Sequence, residues 1–190
     1  MKFRVWMIAF LIAWCVFFVT GCNRNKDAGG SQQSVAKNTV ESLKKQGFEF
    51  SHTGKTLIKA PKDCTSCDIP EGVTTIDKGA FENCKRLQSV TIPSSVTVIG
   101  DNAFRWCTSL KSVTIPSGVT KIGDSAFWEC TSLQKVEIAE GVIEIGDCAF
   151  SNCISLESVF IPLTVKKIHR GAFYGCPCDA EVHRKFSNIY

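Results

Sequence analysis

A cysteine returns every 23 residues through much of this chain: Cys84, Cys107, Cys130, Cys153 and Cys176. Each follows an Ala-Phe pair at the same offset, from Ala80-Phe81 through Ala103-Phe104, Ala126-Phe127 and Ala149-Phe150 to Ala172-Phe173. No insertion breaks the register. A fixed period in the range of about 20–50 residues marks a stacked-coil protein, in which each unit buries its apolar face against the next. Such folds present an extended surface suited to binding, so a catalytic role has to be argued from particular residues.

Other columns recur with the cysteines. Val90/Ile92, Val113/Ile115, Val136/Ile138 and Val159/Ile161 are spaced by two, which places both side chains on one face of a strand. Val73/Ile76, Val96/Ile99, Val119/Ile122, Val142/Ile145 and Val165/Ile168 form a second pair of columns, and Leu87, Leu110, Leu133 and Leu156 complete the predicted interior. Pro70, Pro93, Pro116 and Pro162 follow the strand, and segments such as Pro-Glu-Gly suit a type I turn with Pro second and Gly fourth. The residue after the second Ile is Asp77, Gly100, Gly123, Gly146 or His169. These types accept positive φ more readily than most, so a left-handed backbone is expected in that column.

The unit Leu110-x-x-Val113-x-Ile115-Pro116-x-x-Val119-x-x-Ile122-Gly123-x-x-Ala126-Phe127-x-x-Cys130 resembles the 23-residue treponemal, or BspA-like, class of leucine-rich repeat. The resemblance covers about 64–183 and implies a repeat solenoid: a right-handed coil stack with a parallel sheet and short irregular or 3-10 segments. It also implies a bacterial surface protein, often one that adheres to or binds host proteins. It supplies no ligand.

Five coils are expected over 64–183, with a tail over 184–190. The repeat degrades at both ends, where Cys64 and Cys67 replace Leu and Val, and Asp179 and Arg184 replace Leu and Ile. Residues 34–63 read as an N-terminal cap. Ser34 to Gln46 has a thin apolar stripe of Val35, Val40 and Leu43, with Gly47 as a stop, and Phe48-Glu49-Phe50 and Thr56-Leu57-Ile58 flank a turn at His52 to Lys55.

Residues 1–21 read as an export signal. Lys2 and Arg4 precede fifteen unbroken apolar residues, Val5 to Val19, short of the about 20 that a membrane-spanning helix needs. Val19-Thr20-Gly21-Cys22 resembles the bacterial lipobox, which makes Cys22 the expected lipidation site and new N-terminus. Residues 22–33 are polar and small and read as a flexible tether. Beyond the export signal, 20 basic and 18 acidic residues nearly cancel. With no Lys/Arg run, nucleic-acid binding is excluded.

No residue pattern calls for a catalytic role, a cofactor or a small-molecule substrate. Gly54-Lys55-Thr56 lacks the glycine five residues earlier that a phosphate loop requires, and the three histidines fall in unrelated places. The cysteine column forms a row with no common centre for a tetrahedral metal site, and is expected to be structural: buried thiols directed at backbone carbonyls. Cys64-Thr65-Ser66-Cys67 spells CxxC, but both cysteines align with core positions, which favours buried thiols or a capping disulfide over redox catalysis.

Partner binding is assigned to a variable column. The two positions between Ala-Phe and Cys hold Glu82-Asn83, Arg105-Trp106, Trp128-Glu129, Ser151-Asn152 and Tyr174-Gly175. Arg105, Trp106, Trp128 and Tyr174 would make an exposed aromatic edge with a positive rim, using residue types common in binding hot spots. The strand face carries Ser89/Thr91, Ser112/Thr114, Lys135/Glu137 and Ser158/Phe160, and Phe160, which breaks the pattern of small hydroxyls, is a further candidate. The resulting expectation is a lipid-anchored protein of the outer membrane or cell surface that binds a host or envelope protein. The alternative is a structural envelope component without a soluble ligand, and a thiol redox protein ranks below both.

Overall fold

The computed structural model describes residues 40–189. The export signal, Cys22, the tether and the start of the helix expected from Ser34 lie outside the described residues. Residues 40–45 are helical. A hairpin comes next, in which Glu49–Phe50 pairs antiparallel with Thr56–Lys59. Its second strand opens a parallel ladder through Thr75–Ile76, Val98–Ile99, Lys121–Ile122, Glu144–Ile145 and Lys167–Ile168. Ile76 stands opposite Ile99 and Ile145 opposite Ile168, each pair one period apart.

The Val-x-Ile columns build shorter sheets. Ser66–Asp68 pairs with Ser89–Thr91, and Ser112–Ile115 with Lys135–Ile138, all in parallel. Within them Val113 and Ile115 are buried while Ser112 and Thr114 are exposed, the alternation of a sheet with one face on the core. The last member of this row is reduced to a single bridge between Glu137 and Phe160. The widest sheet therefore passes through the second Ile column, where every coil contributes two residues.

The third side of each coil is irregular, yet it is a ladder too. Gly79, Phe81 and Asn83 donate their N–H groups to the carbonyls of Asp101, Ala103 and Arg105 on the next coil, at 3.0, 2.7 and 2.8 Å. The same pattern repeats along the stack, so buried backbone groups find partners without regular strands. Beneath it, the fully buried rings of Phe81, Phe104, Phe127, Phe150 and Phe173 stack at 4.8, 5.0, 5.1 and 5.3 Å, with interplanar angles of 10° or less.

Three expectations are corrected. First, none of Asp77, Gly100, Gly123, Gly146 or His169 has positive φ. The left-handed residues lie two positions further on, at Gly79, Asn102, Ser125, Cys148 and Gly171, and again immediately before the cysteines, at Asn83, Trp106, Glu129, Asn152 and Gly175. Glycine is needed after the second Ile because coils approach closely there. A Cβ on Gly123 would lie 2.6 Å from the Gly100 carbonyl carbon, and one on Gly100 would lie 2.7 Å from the Lys78 nitrogen.

Second, the proline turns begin one residue later than predicted. Val73 donates to the Pro70 carbonyl at 3.2 Å, so Pro is first and Gly72, with φ of 91°, is third. Positive φ at the third position makes the Pro70 turn type II, whereas Gly118, third in the Pro116 turn, does not have positive φ. Third, the last coil does not continue to 183, and the residues after it are not a free tail. The chain turns into the helix Asp179–Lys185. Asp179 stands where the other coils bury Leu, and its Oδ1 is buried 3.3 Å from His183 Nε2. The helix places Asp179 and Glu181 in its first turn and His183, Arg184 and Lys185 in its last, as its dipole favours. Val182 is buried against the core, Phe186 and Ile189 pack on it, and Ile168 donates to the Ile189 carbonyl at 2.8 Å.

Candidate functional site

The repeat sets residues 23 apart side by side on successive coils, and on the edge preceding the cysteines this gathers a cation, two indoles and two carboxylates. The Arg105 guanidinium carbon lies 4.0 Å from the centroid of the Trp106 ring and 4.3 Å from that of Trp128. The two rings are 5.5 Å apart and tilted by 49°. Trp106 Nε1 donates to Glu129 Oε2 at 2.9 Å. Arg105 Nη1 lies 3.8 Å from Glu82 Oε1. One cluster thus joins three successive coils: Glu82 to Arg105, Arg105 to both tryptophans, and Trp106 to Glu129.

This cluster is more closed than an aromatic edge with a positive rim. Arg105, Trp106 and Trp128 are half-buried. The cation is engaged by two ring faces, whose quadrupoles attract it, and the Glu82 carboxylate lies beside it. Its Nε is buried without a hydrogen-bond partner among the described residues. Tyr174 stands two coils beyond Trp128 in the same column, 67 % exposed, with Ser151 buried between them. Phe160 belongs to the strand face rather than this edge and is 71 % exposed.

The backbone beneath the tryptophans is unusual. Trp106 has φ of 61° and Glu129 of 56°. The same column elsewhere holds Asn or Gly, which reach that region easily, whereas other L-residues lose roughly 1–2 kcal/mol there. Strain of this kind persists where the surrounding structure over-determines it, and it gathers at functional positions.

The cysteine column runs inside this edge. Cys107, Cys130, Cys153 and Cys176 donate to the carbonyls of Phe81, Phe104, Phe127 and Phe150 at 3.2, 3.2, 3.2 and 2.9 Å, and Cys84 to that of Pro61 at 3.5 Å. All five are buried free thiols. Burial pushes the Cys107 thiol up to about 12 and that of Cys130 well above its ordinary value. Cys67 faces the core and is also pushed up to about 12 by burial. The row gains an extra thiol at each end. Cys64 stands beside Cys84, and Cys178 beside Cys176.

Glu82 and Glu129 were not singled out from the sequence. The signal for Glu129 was the period itself, since it stands 23 residues after Trp106 and so faces it from the next coil. No helix among the described residues is long and apolar enough to cross a membrane. Nor do the described residues gather three or more His, Cys, Asp or Glu in a way that could hold a metal ion.

The family model of the BspA type leucine rich repeat region matches residues 59–178 in six copies. The chain is similar to a leucine rich cell surface protein from Faecalibacterium prausnitzii A2-165, with 38% identity and a TM-score of 0.64 over 68% of this chain and 35% of that one. It is also similar to the leucine rich repeat protein of T. pallidum, with 32% identity and a TM-score of 0.61 over 67% of this chain and 63% of that one. The chain thus matches about a third of the length of the first protein and less than two thirds of the second. No curated protein matches it.

Proposed function

The chain belongs to the BspA-type leucine-rich repeat family, and on that premise we propose that it is a lipid-anchored surface protein whose solenoid edge around Trp106 and Trp128 holds a protein partner. The observation that carries this reading is the pair of bulky residues kept in the left-handed region. Trp106 and Glu129 occupy positions that hold Asn83, Asn152 and Gly175 in other coils, which fit there with less strain; Glu129 fixes the Trp106 indole, and Arg105 lies over it and Trp128. A rigid aromatic pair with a bound cation offers large contact area at little cost in ordering, as hot spots do. Tyr174, further along the edge, extends the contact surface. The Cys22 anchor would place this edge at the end of the tether of residues 22–33, on the outer membrane or cell surface.

Two measurements test the reading. A photoreactive residue in place of Tyr174, in the full chain expressed on intact cells, should crosslink a discrete protein, and Trp106→Ala or Trp128→Ala should remove that product while circular dichroism shows the solenoid still folded. Retention of the crosslink in both variants would refute the site. Labelled palmitate should be incorporated by the wild type and not by Cys22→Ala. Equal labelling of the two would refute the anchor.

A further inference from the structure

The first cysteine of the row differs from the rest. Cys107, Cys130, Cys153 and Cys176 each reach a Phe carbonyl 26 residues back, but 26 residues before Cys84 lies the hairpin strand Thr56–Lys59. Cys84 instead turns to the Pro61 carbonyl at 3.5 Å, and the backbone N–H of Cys64 donates to that same carbonyl at 3.2 Å. Two groups that share one acceptor lie side by side, which brings Cys64 and Cys84 together at the junction of cap and first coil. Segment 60–64 is held against 80–84 by the Ala60 N–H on the Ala80 carbonyl at 2.8 Å and by Lys62 Nζ on the Glu82 carbonyl. Cys64 is half-buried and solvent reaches it, whereas Cys84 is fully buried. The CxxC partner, Cys67, points into the core from strand Ser66–Asp68.

We propose that Cys64 and Cys84 form a disulfide by exchange with a disulfide donor, small molecule or protein, and that this bond fastens the N-terminal cap to the first coil. The neighbouring Cys84 thiol holds the Cys64 thiol below its ordinary value, against the opposing effect of burial, and Cys84 is itself held above its own. Cys64 is therefore the attacking group, since the thiolate is the nucleophile. Its thiolate attacks one donor sulfur. The donor S–S bond breaks, and the other donor half leaves as a thiol carrying the proton that Cys64 lost. Cys84 then gives up its proton and attacks the Cys64 sulfur, so the mixed disulfide breaks and the second donor thiol leaves with that proton. Two protein thiols are oxidised and one donor disulfide is reduced to two thiols.

The test uses the full chain, reduced and then incubated with glutathione disulfide, alkylated and digested with trypsin. Cleavage after Lys62, Lys78 and Lys85 releases segments 63–78 and 79–85. These should be recovered joined, with fragmentation placing the link at Cys64 and Cys84. Cys67→Ser should keep the link and Cys64→Ser should lose it. The oxidised wild type should melt roughly 6 °C or more above the reduced chain, because the bond closes a loop of the unfolded state, and dithiothreitol should reverse the shift. A bridge within segment 63–78, a bridge confined to Cys176 and Cys178, or glutathione retained on Cys64 with no internal bond would each overturn the proposal.

Discussion

Gly123→Ala isolates what the glycine column does. The added Cβ would lie 2.6 Å from the Gly100 carbonyl carbon and 2.7 Å from both the Gly100 oxygen and the Asp101 nitrogen. All three are backbone atoms of the preceding coil, so no side chain can swing away. Relief requires two coils to separate, which stretches the ladder bond from the Gly123 N–H to the Ile99 carbonyl, 3.1 Å in the native fold. Overpacking of this kind costs up to about 3 kcal/mol, and the lower entropy of the unfolded Ala chain returns about 0.4–1 kcal/mol of it. A net loss of about 2 kcal/mol should lower the melting temperature by roughly 4–8 °C for a protein of this size. Gly79→Ala is the control. Its φ is 63°, but the nearest atom to an added Cβ is Glu82 Oε2 at an ordinary 3.5 Å. Only left-handed strain remains, and after the same entropic offset the net loss is about 1 kcal/mol. Thermal unfolding of both variants, followed by circular dichroism, gives the comparison. A Gly79→Ala variant less stable than Gly123→Ala would refute the close-approach argument.

Trp106→Asn should remove partner binding at little expense of stability, because Asn accepts the left-handed backbone that Trp106 adopts at φ of 61° and so offsets part of the lost ring contact. Partner crosslinking and melting on the same sample would show it, and a large fall in melting temperature would mean that the indole is core. Under reducing conditions, Cys107 and Cys130 should alkylate far more slowly than half-buried Cys148, and all should react at similar rates in denaturant; rapid native labelling at Cys130 would contradict the buried row. The Glu144 carboxyl is held below the usual carboxylate range by its hydrogen bonds from His169 at 2.7 Å and Lys121 at 3.1 Å. A lowered folded pKa means that its contribution is complete above the unfolded value of about 4.3 and disappears as pH falls through the folded value. Glu144→Gln should therefore flatten the fall in melting temperature between about pH 5 and pH 3, modestly because the pair is solvent-screened. An unchanged slope would count against the linkage.

The coil repeat was legible because its cause is local and periodic: Val-x-Ile alternation, Ala-Phe and the cysteine each recur at one offset, and each returns as a rung. The glycines were misread because glycine serves two ends, positive φ and close backbone approach, and sequence alone does not separate them. The sign of the left-handed positions was present in Asn83, Asn102 and Asn152, but Ser125 and Cys148 in one column and Trp106 and Glu129 in the other masked it. The tryptophans were legible as neighbours one coil apart. Their half-burial was not, because it depends on Arg105 lying across both rings and on Glu129 reaching Trp106. Cys64 beside Cys84 was invisible for a similar reason. The contact arises where the period fails, at the junction of hairpin and first coil.

The phenylalanine stack has an implication for how long such a protein can be. Each interior ring meets the same ring above and below, so nothing in the core records which coil it belongs to. Translation by one unit leaves the interior unchanged. Number is specified only at the boundaries: by the antiparallel strand Glu49–Phe50, which cannot be repeated, and by Asp179, at which the chain turns into a helix. Between those two marks the structure counts nothing, and a copy of residues 101–123 spliced after Gly123 would find a floor and a ceiling already shaped to receive it.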